Sequence, residues 1–152
     1  RNVIIIRTFS KIYGLAGLRV GYCIAPEGLA MAIGRVLPAF PVNRLAQAAA
    51  LAALGATDFV EATLQNNEQG KQYLYASFDA MGLPYAKTHT NFIFVDVKAP
   101  GAQVCERLLK KGIIVRPCDQ WNKPTYLRVT IGTPAENKLF IDALRSILQS
   151  MR

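Results

Sequence analysis

Lys11 stands inside the run Arg7-Thr8-Phe9-Ser10-Lys11-Ile12-Tyr13-Gly14-Leu15-Ala16-Gly17-Leu18-Arg19-Val20-Gly21-Tyr22. A lysine amine forms an imine with an aldehyde, and surroundings that lower its pKa make it a better nucleophile and proton carrier. Thr8 and Ser10 bring hydroxyls beside it, and Arg19 brings a planar fork of donors. Glycines at 14, 17 and 21 allow a compact loop with exposed amides. Such a set can surround a dianionic phosphate while the amine reaches the other end of the same ligand. The plainer reading is also open: Thr8 and Ser10 cap a turn, Arg19 pairs with a distant carboxylate and Lys11 is a solvated surface group.

A second group of chemistry-bearing residues lies far along the chain. Arg116 ends the run Ile113-Ile114-Val115, and Arg128 interrupts Tyr126-Leu127-Val129-Thr130-Ile131. An arginine in an apolar strand pattern reaches solvent, a carboxylate or a bound anion. Asn91, before Phe92-Ile93-Phe94-Val95, either organises a site or satisfies loop backbone, and Asn43 reads as a helix cap. His89, between two threonines, has no neighbour that recruits it to catalysis. Trp121 sits in the polar stretch Asp119-Gln120-Trp121-Asn122-Lys123-Pro124 and reads as a surface aromatic or a contact residue.

Composition narrows the classes. With 152 residues the chain can bury one sizeable core, and 51% hydrophobic residues argue for a folded body. The net charge of +8 favours anionic partners, yet only Lys110 and Lys111 are adjacent, so no nucleic-acid footprint forms and a small phosphorylated ligand fits better. One histidine and three widely spaced cysteines, Cys23, Cys105 and Cys118, leave little for a zinc site or a disulfide framework. They make a reducing, cytoplasmic setting the expectation. No apolar stretch has the length of a membrane span, because Gly34, Arg35, Pro38 and Pro41 break the 29–42 region. Because the chain starts at Arg1 and is apolar by its fourth residue, it reads as a piece of a larger protein.

These residues need elements to carry them. Val3 to Arg7 predicts a strand buried on both faces, 8–17 a loop, and Leu18 to Ile24 a second strand. A helix over 26–36, a proline break at 38–41, and an alanine-rich helix over 44–54 stopped by Gly55 follow. A long helix from Thr57 or Asp58 to about Met81 carries Leu74, Phe78 and Met81 at intervals of four and three and is interrupted only by Gly70. Beyond it come strands over 92–97, 113–115 and 127–131, with a helix over 102–111 between the first two. Thr133-Pro134-Ala135-Glu136 is a capping box with proline at the first helical position. Behind it Leu139, Phe140, Ala143, Leu144, Ile147 and Leu148 predict one apolar stripe. A domain boundary inside the long helix divides 1–70 from 71–152.

The string from Ser10 to Tyr22 resembles the lysine signature of the class I/II aminotransferases, pyridoxal-phosphate enzymes of fold type I. Arg-Thr-Phe-Ser-Lys with Leu-Ala-Gly-Leu-Arg-Val-Gly-Tyr is most similar to the histidinol-phosphate branch of that family. The resemblance implies an α/β fold: the C-terminal part of a fold type I enzyme, with the edge of the large-domain sheet (1–70) followed by an α+β small domain (71–152). It implies that Lys11 holds pyridoxal 5′-phosphate covalently and later moves a proton on the substrate. Thr8, Ser10 and Arg19 contact the cofactor phosphate, and Arg128 grips the substrate carboxylate. Arg116 helps with the substrate's anionic groups, and Asn91 matches a family Asn-Phe pattern. The implied reaction exchanges an amino group between L-histidinol phosphate and 2-oxoglutarate, in histidine biosynthesis, in a homodimer. Another class I/II enzyme, such as an aromatic aminotransferase or threonine-phosphate decarboxylase, remains open, as does a non-catalytic interaction module. In the family, the groups that stack on the cofactor ring and pair with its nitrogen lie upstream of the matched region, so transamination by this piece alone is not expected.

Overall fold

The computed structural model describes residues 3–151. Backbone contacts divide the chain into two compact units, 1–64 and 65–152, with the division inside one long helix.

The first unit opens with an antiparallel pair, β1 (Ile5–Thr8) and β2 (Gly21–Ile24), in the register Ile5↔Ile24 to Thr8↔Gly21. Gly21 is required at its place, because a Cβ there would sit 2.7 Å from the Arg7 carbonyl oxygen. The second strand is shorter than its apolar pattern predicts. Residues Ala16–Leu18 make a 3₁₀ turn, and Arg19 follows with φ 56° and ψ 49°. Burial of β1 on both faces is not observed: Ile5 is 48% and Ile6 78% exposed, because two strands alone cannot cover either face of the sheet. Helix α1 (Glu27–Val36) buries no residue. Helix α2 (Arg44–Leu54) buries Ala46 and Ala50, one turn apart, and Asn43 caps it by accepting the Ala46 N–H at 2.8 Å.

The second unit takes the later part of α3 (Thr57–Ala80) and adds β3 (Tyr85–Ala86), β4 (Phe92–Asp96), α4 (Gly101–Leu109), β5 (Arg116–Cys118), β6 (Lys123–Thr130) and α5 (Pro134–Ser150). The strands form one antiparallel sheet in the order β3-β4-β6-β5. Alternation decides its faces. Ile93, Val95, Val97, Leu127, Val129 and Ile131 point into a core shared with Leu74, Phe78, Val104, Leu108, Ile141 and Leu144. The other face carries Phe92, Phe94, Tyr126 and Arg128, all half-buried.

Three predictions fail here for local reasons. Residues 113–115 are not a strand, since Ile113 N–H donates to the Leu108 carbonyl at 3.0 Å and Gly112, at φ 78°, donates to Leu109 at 2.9 Å. That pattern is a helix C-cap, so the apolar run leads out of the cap and ends before the edge strand β5, which starts at Arg116 and in which Pro117 is tolerated. β6 starts at Lys123, four residues before the apolar pattern suggests, after a 3₁₀ turn over Asp119–Trp121. Leu139 is 57% exposed, and Ile141 takes its place on the buried stripe of α5. The capping box is present in both halves, Thr133 Oγ1 accepting the Glu136 N–H at 3.3 Å and Glu136 Oε2 accepting the Thr133 N–H at 2.7 Å.

Candidate functional site

In the first unit the candidate residues occupy the turn between β1 and β2. Phe9 is the buried pin: its ring lies 4.9 Å from Tyr13 and 6.2 Å from Tyr22, and its main chain bonds Val20 and Leu15. A side chain anchored at position 9 turns its neighbours outward. Lys11 is exposed, and its carbonyl accepts the Gly14 N–H at 2.9 Å, with Gly14 at φ 69°.

Thr8 and Ser10 come together across the pin, Thr8 Oγ1 donating to Ser10 Oγ at 2.8 Å and accepting the Ser10 N–H at 3.0 Å. Both line an open recess of about 600 Å³ together with Arg19, Gly21, Tyr22 and Ile6. Arg19 is therefore on the wall that its spacing suggested, by a route the spacing concealed. Gly17 keeps a negative φ, and Arg19 itself takes the left-handed conformation, at a cost of roughly 1–2 kcal/mol for a non-glycine residue. Its Nη1 donates to the Ala16 carbonyl at 2.7 Å, which aims the guanidinium. The ion pairs among the described residues are Lys71–Glu68, Lys110–Glu106 and Lys138–Asp142, so Arg19 has no carboxylate partner there. Two hydroxyls and a guanidinium free of carboxylates on one wall suit a phosphate dianion, and an exposed amine one residue from Ser10 suits its aldehyde end.

In the second unit, pairing of β5 with β6 sets Arg116 directly opposite Arg128. Like charges across strands repel unless an anion lies between or above them. Arg128 also pairs with Phe94 on its other side, and its guanidinium carbon lies 5.2 Å from the Phe92 ring centroid. That cation–π contact orients the fork without neutralising it. Neither arginine belongs to an ion pair among the described residues. Arg128 is half-buried and Arg116 exposed. Asn91 is exposed, and its carbonyl accepts the Ile131 N–H at 2.9 Å, which extends the β4–β6 ladder beyond the strand ends.

Phe92 and Phe94 read in the sequence only as strand residues, yet they form the aromatic ground around Arg128, and Trp121 joins them at 5.8 Å from Phe94. The signal available was period-2 alternation, which puts 92, 94, 126 and 128 on one face. Cys118 lies on β5 beside Arg116. It is fully buried, and burial raises its thiol pKa against the opposing pull of Arg128. His89 is exposed.

A hairpin edge bearing the lysine turn, two helices and an α+β unit, in that order, define the α/β architecture of fold type I. The chain belongs to the family described as aminotransferase class I and II, whose model matches residues 1–144. It is 52% identical over 147 residues to a histidinol-phosphate aminotransferase of Moorella thermoacetica, covering 97% of this chain and 38% of that protein. It is 47% identical over 148 residues to the enzyme of the same name from Caldicellulosiruptor saccharolyticus, covering 97% of this chain and 41% of that one. Among solved structures, the histidinol-phosphate aminotransferase of Sinorhizobium meliloti in complex with pyridoxal-5′-phosphate superposes with a TM-score of 0.86 at 30% identity, over 99% of this chain and 42% of that one. The chain thus spans about two fifths of the length of the curated relatives it matches.

Proposed function

We propose that the chain is part of a pyridoxal-phosphate-dependent aminotransferase that exchanges an amino group between L-histidinol phosphate and 2-oxoglutarate, in histidine biosynthesis. Residues 1–70 belong in this reading to the cofactor-binding large domain and 71–152 to the small domain. The observation that carries the anionic substrate is the Arg116–Arg128 cross-strand pair, free of any carboxylate among the described residues. Histidinol phosphate presents a phosphate where 2-oxoglutarate presents a carboxylate, and guanidinium forks accept both. The particular substrate is supported by the names of the relatives.

Thr8, Ser10 and Arg19 hold the cofactor phosphate, and Lys11 holds its aldehyde carbon. When bound, pyridoxal phosphate supplies an electron sink for the pair left behind at the substrate Cα. Lys11, as a free amine beside the bound substrate, would carry the proton to and from that carbon. Arg128 fixes the substrate's anionic group, the carboxylate bonded to Cα in the amino acid or the phosphate one CH2–O link away in histidinol phosphate, Arg116 takes further negative charge, and Asn91 shapes the substrate end of β4. The enzyme works in the cytoplasm as a homodimer. No helix among the described residues is long and apolar enough to cross a membrane.

The first test is chemical. The chain is incubated with pyridoxal phosphate, reduced with borohydride and digested, and the expected product is a pyridoxyl adduct on Lys11 that Lys11→Ala abolishes. A folded chain with no adduct on Lys11 would favour a non-catalytic interaction module. For the full-length enzyme an amino-donor panel decides the substrate. Rapid turnover of phenylalanine or tyrosine without histidinol phosphate would point to an aromatic aminotransferase, and release of carbon dioxide from threonine phosphate to a decarboxylase.

A further inference from the structure

One polar side chain is buried among the described residues, Asn137 at 3% exposure, and the chemistry proposed above does not use it. Its amide pairs with Gly132 in both senses. The Gly132 N–H donates to Asn137 Oδ1 at 2.9 Å, and Asn137 Nδ2 donates to the Gly132 carbonyl at 3.0 Å. A primary amide used this way stands in for a neighbouring strand, and it continues the hydrogen bonding just past the end of β6. The same carbonyl accepts from Asn66 Nδ2 on α3 at 3.2 Å. The next residue of that helix, Asn67, donates from Nδ2 to the Thr90 carbonyl at 3.3 Å.

Between those two carbonyls lies the Ile131 N–H to Asn91 carbonyl bond. Three asparagines on two helices therefore grip the main chain on either side of the point where β4 begins and β6 ends. Asparagine is a poor residue for a helix interior, so an adjacent pair inside α3 calls for a role outside the helix. Gly70, one turn further on, lets the helix come close: a Cβ there would overlap Ile131 Cγ2 and lie 3.0 Å from Asn137 Nδ2.

The geometry points to Asn66, Asn67 and Asn137 as positioning residues that hold Asn91 and Arg128 where the substrate anion is received. The inference rests on the substrate-binding reading of Arg128 and Asn91 proposed above. Arg116 and Arg128 repel across β5 and β6 until an anion arrives, and β5 is a three-residue edge strand. A backbone free to relax that repulsion would splay the two forks and would have to be gathered again on binding. The clasp anchors the β4–β6 ladder at the end that carries Asn91, so the Arg128 fork is preorganised.

The test uses the full-length enzyme with Asn137→Ala and, separately, the double variant Asn66→Ala, Asn67→Ala, whose half-buried positions tolerate truncation if Asn137→Ala fails to fold. Steady-state kinetics with histidinol phosphate and 2-oxoglutarate, absorbance titration with pyridoxal phosphate, and thermal unfolding are measured on each. The expected result is a KM for both substrates raised about five- to tenfold, with kcat lowered less than about threefold. Cofactor affinity is expected to be unchanged, because Thr8, Ser10, Lys11 and Arg19 lie on other segments. A lowered melting temperature with unchanged KM in the folded variants would reduce the asparagines to fold stabilisers and overturn the proposal. An unmodified enzyme inactive toward histidinol phosphate overturns the proposed function instead. In that case the KM for whichever carboxylate substrate it does turn over decides the role of the clasp.

Discussion

At the scale of single residues, the strongest contrast is between Arg128 and its nearest chemical substitute. Its fork is oriented by the Phe92 ring at 5.2 Å and faces Arg116 across the sheet, so planar two-point geometry matters as well as charge. Lysine offers a point charge on a flexible stem. Arg128→Lys in the full-length enzyme is expected to raise KM for the anionic substrates roughly 10- to 100-fold with little change in melting temperature, checked by initial-rate kinetics and differential scanning fluorimetry. The cysteines make a second prediction. Burial, then the nearby Cys118 and Asp119, push the Cys105 thiol up to about 11, and burial raises Cys118 as well. At pH 8 Cys105 therefore stays in the thiol form. Iodoacetamide should label the exposed Cys23 well before either of the others, as read by peptide mass. Early labelling of Cys105 or Cys118 in folded protein would mean that the second unit opens readily.

At the scale of elements, α5 depends on its first turn. Glu136 accepts two hydrogen bonds from Thr133, through the backbone N–H at 2.7 Å and the hydroxyl at 2.8 Å, and these hold its carboxyl below the usual glutamate range. A depressed carboxyl pKa contributes stability that is complete above the unfolded value and lost as pH falls through the folded one. Thr133→Ala should cost about 1 kcal/mol at neutral pH in denaturant unfolding. Glu136→Gln should also be less stable than wild type at pH 7, with the gap closing on acidification below the ordinary glutamate pKa. A gap that stayed constant down to pH 3 would assign the effect to packing. Elsewhere, two helices end alike: Gly82 at φ 64° and Gly112 at φ 78° close α3 and α4, with Leu83 and Ile113 bonded back to Phe78 and Leu108 at 3.0 Å each. The glycine marks the stop in each case, and the residue after it is committed to the cap.

At the scale of the whole molecule, the two units differ in how well they bury their apolar residues. The second has a closed core centred on Leu74, Phe78, Ile93, Leu127 and Leu144, whereas the first leaves Ile5, Ile6, Ile24, Leu45 and Leu51 largely exposed. Exposed apolar side chains in this number promote association. Ile6→Lys, at a site 78% exposed, should reduce concentration-dependent association in sedimentation without lowering the unfolding midpoint of the second unit. The sequence by itself determined whatever depends on neighbours within a few residues: the capping box at Thr133, the Leu74–Phe78–Met81 stripe, and the lysine turn with its hydroxyls and arginine. Those features follow from local hydrogen bonding and side-chain period, and both are written in order along the chain. Tertiary structure decided what joins residues distant in sequence. It brought Arg116 opposite Arg128, set the Phe92 ring under one guanidinium, and gave Asn66, Asn67 and Asn137 a shared target at the ends of β4 and β6. Register and close approach of this kind depend on which strands pair and how near a helix can lie, and no run of residues states either until the chain has folded back on itself.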